Sequence, residues 1–394
     1  KTIAQEMPAS MAGSNLQKEQ DLPDVVDEPE QPALRRSTRE RKPSYKCREA
    51  LTSGNTEERS EEIRGKTLQS TEQRVLAQLY QKYGSEQFTQ SAARDIPDWA
   101  YAKALEAGLK NWEGHYQQCS IAEIPPGSNI VGSHVVYRIK KNEDGNFRFK
   151  ARLVVHGNED ASKDDIRKDA ATAHLTTIRL ILSLAVCYGF QLGQIDIKAA
   201  YFQSGPIRRR IYVRPPRDLL LFRILWLLLS LPYGIVEAGR QWQLTSDDFL
   251  HSIGLQTVSS LPQCFIRKEN GKLVLIVGKI VDDFLVAGTP EALRWFSKKI
   301  NSRFTVGAET YTPHALKFNG AIIEKDSKGS IPVNMNEFAN KLAPFSFERS
   351  RRKQMEESVN AEELHDYQSL AGKLNCLGHS VLPHATFAAS YLQQ

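Results

Sequence analysis

Apolar and polar positions along this chain change period from one block to the next. Over residues 98–111, Trp99, Ala102, Leu105 and Leu109 fall near one face of a 3.6-residue repeat, which predicts a helix. Two β-like runs follow, residues 129–139 and 147–155, joined through Asn142-Glu-Asp144-Gly145. Asp-Gly between such runs signals a hairpin, because tight turns need residues that tolerate positive φ. Residues 176–188 read as helical with Gly189 as the stop, and a short strand leads into Ile195-Asp196-Ile197. Residues 237–253 form a further helix, with Ala238, Trp242, Thr245, Phe249 and Ile253 at spacings of three and four. Strands are expected over 273–277 and 284–287. Thr289 then caps a helix that has Pro290 at its first position and Leu293, Phe296, Ile300 and Phe304 on its buried face. The order is hairpin, helix, strand, helix, hairpin, helix. That is α+β, a largely antiparallel sheet with helices packed on one side.

The 394 residues suffice for two or three domains. The chain begins at Lys1 rather than Met, so a fragment or a processed product is expected. Residues up to about 70 are polar and charge-dense with no sustained period, which predicts disorder or a linker; ordered structure is expected to start between Thr71 and Asp98. Within the leading stretch, residues 35–46 (RRSTRERKPSYK) are a basic run, read either as a solvated, nuclear-localisation-like patch or as a nucleic-acid contact. Net charge is +6, which fits a nucleic-acid partner without singling one out. The cysteines Cys47, Cys119, Cys187, Cys264 and Cys376 form no CxxC pair, which argues for a reducing compartment and against a zinc site or disulfide framework. The histidines show no metal-ligand spacing. No apolar segment near Lys1 reads as a signal peptide, and residues 219–231 (LLLFRILWLLLSL) are shorter than the roughly 20 a bilayer requires and carry Arg223. A buried core segment is the reading for them.

The chemistry concentrates in Lys279-Ile-Val-Asp282-Asp283-Phe284, two adjacent carboxylates inside the apolar stretch 273–287. Burying like charges side by side is costly, and a hard divalent cation such as Mg2+ would remove the cost. Two-metal phosphoryl transfer needs carboxylates from separate segments, and Asp196 at a strand end is a candidate partner. The alternative is a capped turn in which the carboxylates bond backbone N–H groups. Asp164-Asp165 and Asp247-Asp248 lie in polar surroundings and read as solvated faces.

These residues resemble the reverse transcriptase of copia-type LTR retrotransposons. Gln194-Ile-Asp196-Ile-Lys-Ala-Ala-Tyr201-Phe202 resembles the family's first catalytic motif, and Ile280-Val281-Asp282-Asp283 its Y-V-D-D box. Lys150-Ala-Arg152-Leu-Val-Val-His-Gly157 resembles K-A-R-L-V-x-x-G, and Tyr233-Gly234 with Ala238, Arg240 and Trp242 resembles Y-G-x-x-x-A-x-R-x-W. Ile211-Tyr-Val-Arg-Pro-Pro216, and Tyr367-Gln-Ser369-Leu-Ala-Gly372 with Pro383, are similar to further family stretches in the same order; even the basic run at 35–46 resembles the family's linker.

The resemblance implies a right-hand polymerase fold: a linker over 1–95, fingers and palm over 96–305, and a partial thumb or connection over 306–394, ending before RNase H. It implies an RNA-directed DNA polymerase with Asp196, Asp282 and Asp283 as catalytic residues and ligands of two Mg2+ ions, Mn2+ being an alternative. Lys150, Arg152, Tyr201, Tyr233 and Gly234 would bind substrate, with Lys150 and Arg152 on the triphosphate and Tyr201 excluding a 2′-hydroxyl. Partners would be an RNA or DNA template with primer and dNTPs, without a membrane. The location would be a cytoplasmic virus-like particle or the nucleus. Ile280 stands where the family has Tyr, and residues 216–231 are leucine-rich where a polar loop is expected. Both departures motivate an alternative, a catalytically inactive remnant that at most binds nucleic acid. A two-metal nuclease or phosphatase would leave Tyr201 and the Lys150/Arg152 pair without a role.

Overall fold

Period-two alternation folds two segments into a long hairpin, β1 (Ser133–Lys141) and β2 (Phe147–Val155). They belong to a computed structural model that describes residues 71–142, 144–219, 221, 223–342, 344, 351 and 358–393. The basic run at 35–46 lies outside the described residues. Gly145 supplies the turn's positive φ of 82°. One face of the hairpin sends Val135, Tyr137, Ile139 and Leu153 into a core. The other carries Arg138, Lys140, Arg148, Lys150 and Arg152, with Lys140 opposite Arg148, Arg138 opposite Lys150 and Val136 opposite Arg152.

Two helices close that core: α1 (residues 71–83), through Leu76 and Leu79, and α2 (Asp98–Leu109). The fold therefore starts ahead of the expected linker boundary at 95. The buried face of α2 is also rotated from the expected one: Ala100, Tyr101, Ala104, Leu105 and Gly108 are buried, and Trp99 is exposed. Gly108 explains the rotation. A Cβ there would stand 3.0 Å from the Ala151 carbonyl oxygen, so the bare glycine lets the helix press against β2.

Helix α3 (Leu175–Tyr188) stops at Gly189, φ 66°, and the chain turns directly into β3 (Gln191–Ile197). Of the leucine-rich segment, β4 (Ile224–Leu228) is a strand that pairs with Tyr116–Ser120 and Tyr212–Val213 and buries Leu225, Trp226 and Leu228. Leu221 and Leu229 are exposed, so the buried-core reading holds for its centre and not for those two.

Helix α4 (Ala238–Ser252) precedes the central antiparallel strands β5 (Cys264–Glu269), β6 (Lys272–Ile280) and β7 (Asp283–Gly288). Helix α5 (Pro290–Arg303) begins as expected, with Thr289 Oγ1 accepting from Ala292 N–H at 3.2 Å, and leads to β8 (Val306–Tyr311). The sheet runs β8-β3-β7-β6-β5, ending in Gln256–Thr257, and every pairing in it is antiparallel.

Helices cover both faces of this sheet rather than one. Ile195, Ile197, Phe284 and Val286 pack with Trp242, Leu250, Leu293, Phe296 and Ile300 of α4 and α5. Leu192, Leu285 and Ala287 pack on the opposite face with Ile178, Ile181 and Ala185 of α3. The cause is visible in Phe284-Leu285-Val286-Ala287: a strand apolar at every position must be covered twice. Full burial of Phe284, Leu285 and Val286 is worth about 1.5–3 kcal/mol each.

A cation sits among the buried polar groups. The Lys279 side chain is 1% exposed and pairs with Asp247 of α4, donating also to Ser246 Oγ at 2.5 Å. Asp247 is thus a buried ion's partner, not a solvated face; Asp248, Asp164 and Asp165 are exposed as expected. Near the end of the chain, α6 (Ala361–Ser380) is tied back to α3 by Arg179, which donates to the carbonyls of His379 at 2.6 Å and Ser380 at 3.3 Å. No described helix is long and apolar enough to cross a membrane.

Candidate active site

Strand register brings the distant carboxylates together. Asp196 on β3 lies directly opposite Asp283 on β7, and Ile197 N–H donates to the Asp282 carbonyl at 2.9 Å. Because side chains alternate along a strand, Asp196 and Asp283 share the face that holds Gln194. Between β6 and β7 the chain reverses in two residues, Val281 and Asp282, with Ile280 opposite Asp283. Val281 takes φ 52°, a strained conformation for a β-branched residue. The buried Trp242 holds it there, its Nε1–H donating to the Val281 carbonyl at 2.7 Å. Asp196 also depends on a neighbour: a Cβ at Gly307 would lie 2.3 Å from Asp196 Oδ2, so the carboxylate occupies space that only glycine leaves free.

All three carboxyls are shifted toward the protonated form. Burial raises the pKa of Asp196, against the pull of Lys150 and Lys140. Burial and then the charge of Asp196 raise Asp282. Asp283 is pushed up to about 6 by burial and by Asp282, while Gln194 Nε2, 3.4 Å from its Oδ1, opposes the shift. None of the three forms an ion pair with a described residue. Uncompensated hard oxygen donors of like charge suit a divalent cation such as Mg2+ or Mn2+, and the residues fit such ions chemically. Among the described residues, no three His, Cys, Asp or Glu side chains converge on a single point in this conformation.

The residues expected to bind substrate meet at the same end of the sheet. Tyr201 and Tyr233 have ring centroids 4.7 Å apart, and the Arg152 guanidinium stands 4.6 Å over the Tyr233 ring. Burial, then Asp282, raises both tyrosines, Tyr233 to about 12, so both hydroxyls stay neutral. Gly234, φ 100°, seats the turn after Leu231 against β2, with Val155 N–H donating to the Tyr233 carbonyl at 3.0 Å. A Cβ at Gly234 would fall 2.0 Å from the Val155 oxygen, and one at Gly157 would fall 2.1 Å from the Gly234 oxygen.

Desolvation lowers the pKa of Lys150, and the neighbouring cations Lys140, Arg148 and Arg152 add to the effect while Asp196 opposes it. Lys150 therefore faces the carboxylate side of the hairpin. Lys140 feels the same fields, and sequence reasoning missed it. Its signal was present: the alternation that points Lys150 and Arg152 outward puts Lys140 on their face. Gly307 and the bond from Trp242 to Val281 carried no comparable sequence signal.

The antiparallel sheet with its acidic turn and the cationic hairpin both fall within one stretch that matches a known family. Residues 116–347 match the family described as reverse transcriptase (RNA-dependent DNA polymerase), and the chain belongs to that family. Its relatives are copia-type Pol polyproteins. It is 30% identical over 201 residues to the retrovirus-related Pol polyprotein from transposon TNT 1-94 of Nicotiana tabacum, covering 49% of this chain and 14% of that one. It is 27% identical over 222 residues to the corresponding polyprotein from transposon RE1 of Arabidopsis thaliana, covering 55% and 15%. The chain thus spans about one seventh of the length of these relatives. Among solved structures it is similar to the foamy viral protease-reverse transcriptase in complex with double-stranded DNA, with a TM-score of 0.41 and 12% identity over 70% of this chain and 40% of that one.

Proposed function

We propose that this chain is an RNA-directed DNA polymerase: a primer 3′-hydroxyl attacks the α-phosphate of a dNTP and pyrophosphate leaves. The observation that carries the reading is the register that sets Asp196 opposite Asp283, one residue from Asp282. Asp196 and Asp282, with Asp283 in support, would hold two Mg2+ ions, or Mn2+ in their place. Bound there, such ions would supply activation of the attacking hydroxyl and charge stabilisation at the leaving oxygen. Arg152, fixed over the Tyr233 ring, presents its guanidinium to the triphosphate, and Lys150 and Lys140 add positive charge on the same face. Tyr201, braced against Tyr233, sets a wall beside the incoming sugar that disfavours a 2′-hydroxyl. Residues 96–305 would act as fingers and palm and 306–394 as thumb or connection, on an RNA or DNA template with primer. The setting would be a cytoplasmic particle or the nucleus.

The test is primer extension on a homopolymer template with Mg2+ or Mn2+. Asp196→Asn and Asp282→Asn should each abolish extension while thermal unfolding and duplex binding persist. Template-dependent synthesis by pure Asp282→Asn protein would refute the assignment. One observation favours a second reading, an inactive remnant that binds nucleic acid: Ile280 replaces the family's Tyr and packs with the α3 core. That reading expects salt-sensitive binding and no extension by the unaltered chain.

A further inference from the structure

Behind the turn that carries Tyr233 lies a cavity of about 270 Å³ with no part in the chemistry above. Leu231, two residues before Tyr233, lines it, and so does Arg240. Gly239, next to Arg240, borders the nucleotide site as well: a Cβ there would lie 3.6 Å from the Ala170 Cβ and 3.8 Å from the Tyr201 hydroxyl. The cavity and the nucleotide site therefore share the short segment that carries Gly239 and Arg240. Its walls are of two kinds. Ile207, Leu231 and Leu244 give it apolar surface, and Arg167, Arg208, Arg209 and Arg240 rim it.

Most of that positive charge is already spoken for. Arg209 is saturated by Asp160 and Glu237. Arg167 and Arg240 share one carboxylate, Asp169, the second contact being long at 3.3 Å. Arg208 is exposed and has no carboxylate partner among the described residues. Four guanidiniums stand against three carboxylates, which leaves a single positive charge at the mouth of an apolar slot.

One unit of single-stranded nucleic acid has the complementary form: a flat base that favours apolar and guanidinium surfaces, and a phosphodiester with one negative charge. We propose that this cavity holds an unpaired template nucleotide upstream of the templating base, with Arg208 on its phosphate and the base between Ile207, Leu231 and Leu244. This rests on the polymerase reading, and it would make Arg208 a positioning residue for the template.

The experiment measures equilibrium binding of the full chain to fluorescent primer–templates, without nucleotide, as a function of template overhang. The unaltered protein should bind a five-nucleotide 5′ overhang about tenfold more tightly than a one-nucleotide overhang. Arg208→Ala should reduce that gain to less than about threefold, leave the one-nucleotide affinity within about twofold, and lower the salt slope by about 0.7, the value for one phosphate of a single strand. Leu244→Trp, which fills the slot from an exposed position without changing charge, should erase the same gain. An overhang of abasic sites should bind like the short one. The proposal is overturned if Arg208→Ala weakens both substrates equally or neither, or if the abasic overhang keeps the full gain, since the latter describes an anion contact without a base. Failure of the polymerase reading looks different: the unaltered chain would then bind short and long primer–templates no better than random duplex.

Discussion

Asp283 keeps its proton up to about pH 6 because burial and the adjacent Asp282 both penalise its charge. An unfolded aspartate titrates near 3.9, so the folded state binds the proton more tightly. The stability this lends is fully present below about pH 4 and is lost as pH rises through about 6. Thermal unfolding without metal should therefore show a midpoint that falls between pH 4.5 and 7 more steeply in the unaltered protein than in Asp283→Asn. At pH 7.5, Mg2+ should raise the midpoint of the unaltered protein and leave that of an Asp196→Asn/Asp282→Asn variant unchanged. Trp242 acts on the same turn by a different means, as the donor that satisfies the Val281 carbonyl. Trp242→Phe leaves that carbonyl unpaired and should cost about 1–3 kcal/mol in urea unfolding.

Among the elements, β8 and the turn after Leu231 bear on the site through missing atoms. Gly307 sits exposed on β8, so Gly307→Ala should leave the unfolding midpoint nearly unchanged, yet its Cβ must displace the Asp196 carboxylate and primer extension should fall at least tenfold. Gly234→Ala meets backbone at 2.0 Å with φ 100° and should destabilise the fold by roughly 2–4 kcal/mol, detached from any change in metal dependence. The sequence showed that glycines stood at these places but not what they faced. It was far more legible where signals are local. The hairpin expected over 129–139 and 147–155, the stop at Gly189 and the cap at Thr289 are each written within a few residues; the last two and the second strand are found where the spacing put them, while the first strand lies a little later, at 133–141. The face of α2 was misjudged because Gly108 and Ala151 decide it jointly, 43 residues apart, and periodicity cannot see that pairing.

At the scale of the molecule, Lys279 and Asp247 join the central sheet to α4 through an ion pair in the interior. Lys279→Met would strand the Asp247 charge and should destabilise by about 3–5 kcal/mol, whereas Lys279→Met with Asp247→Leu should recover most of the loss. Nothing within either segment announces this partnership, and Asp247-Asp248 read from sequence as solvent-facing for that reason. The carboxylate site was legible as a set of motifs in order; that they meet rests on the pairing of β3 with β7, which follows from apolar strands seeking the centre of a sheet. A last consequence lies in the contact between Gly157 and Gly234. Two stretches of main chain that touch with no side chain between them have nothing to slide upon. The arginine-bearing strand and the tyrosine-bearing turn must travel as one piece, so whatever hinge admits a nucleotide has to bend somewhere other than at that seam.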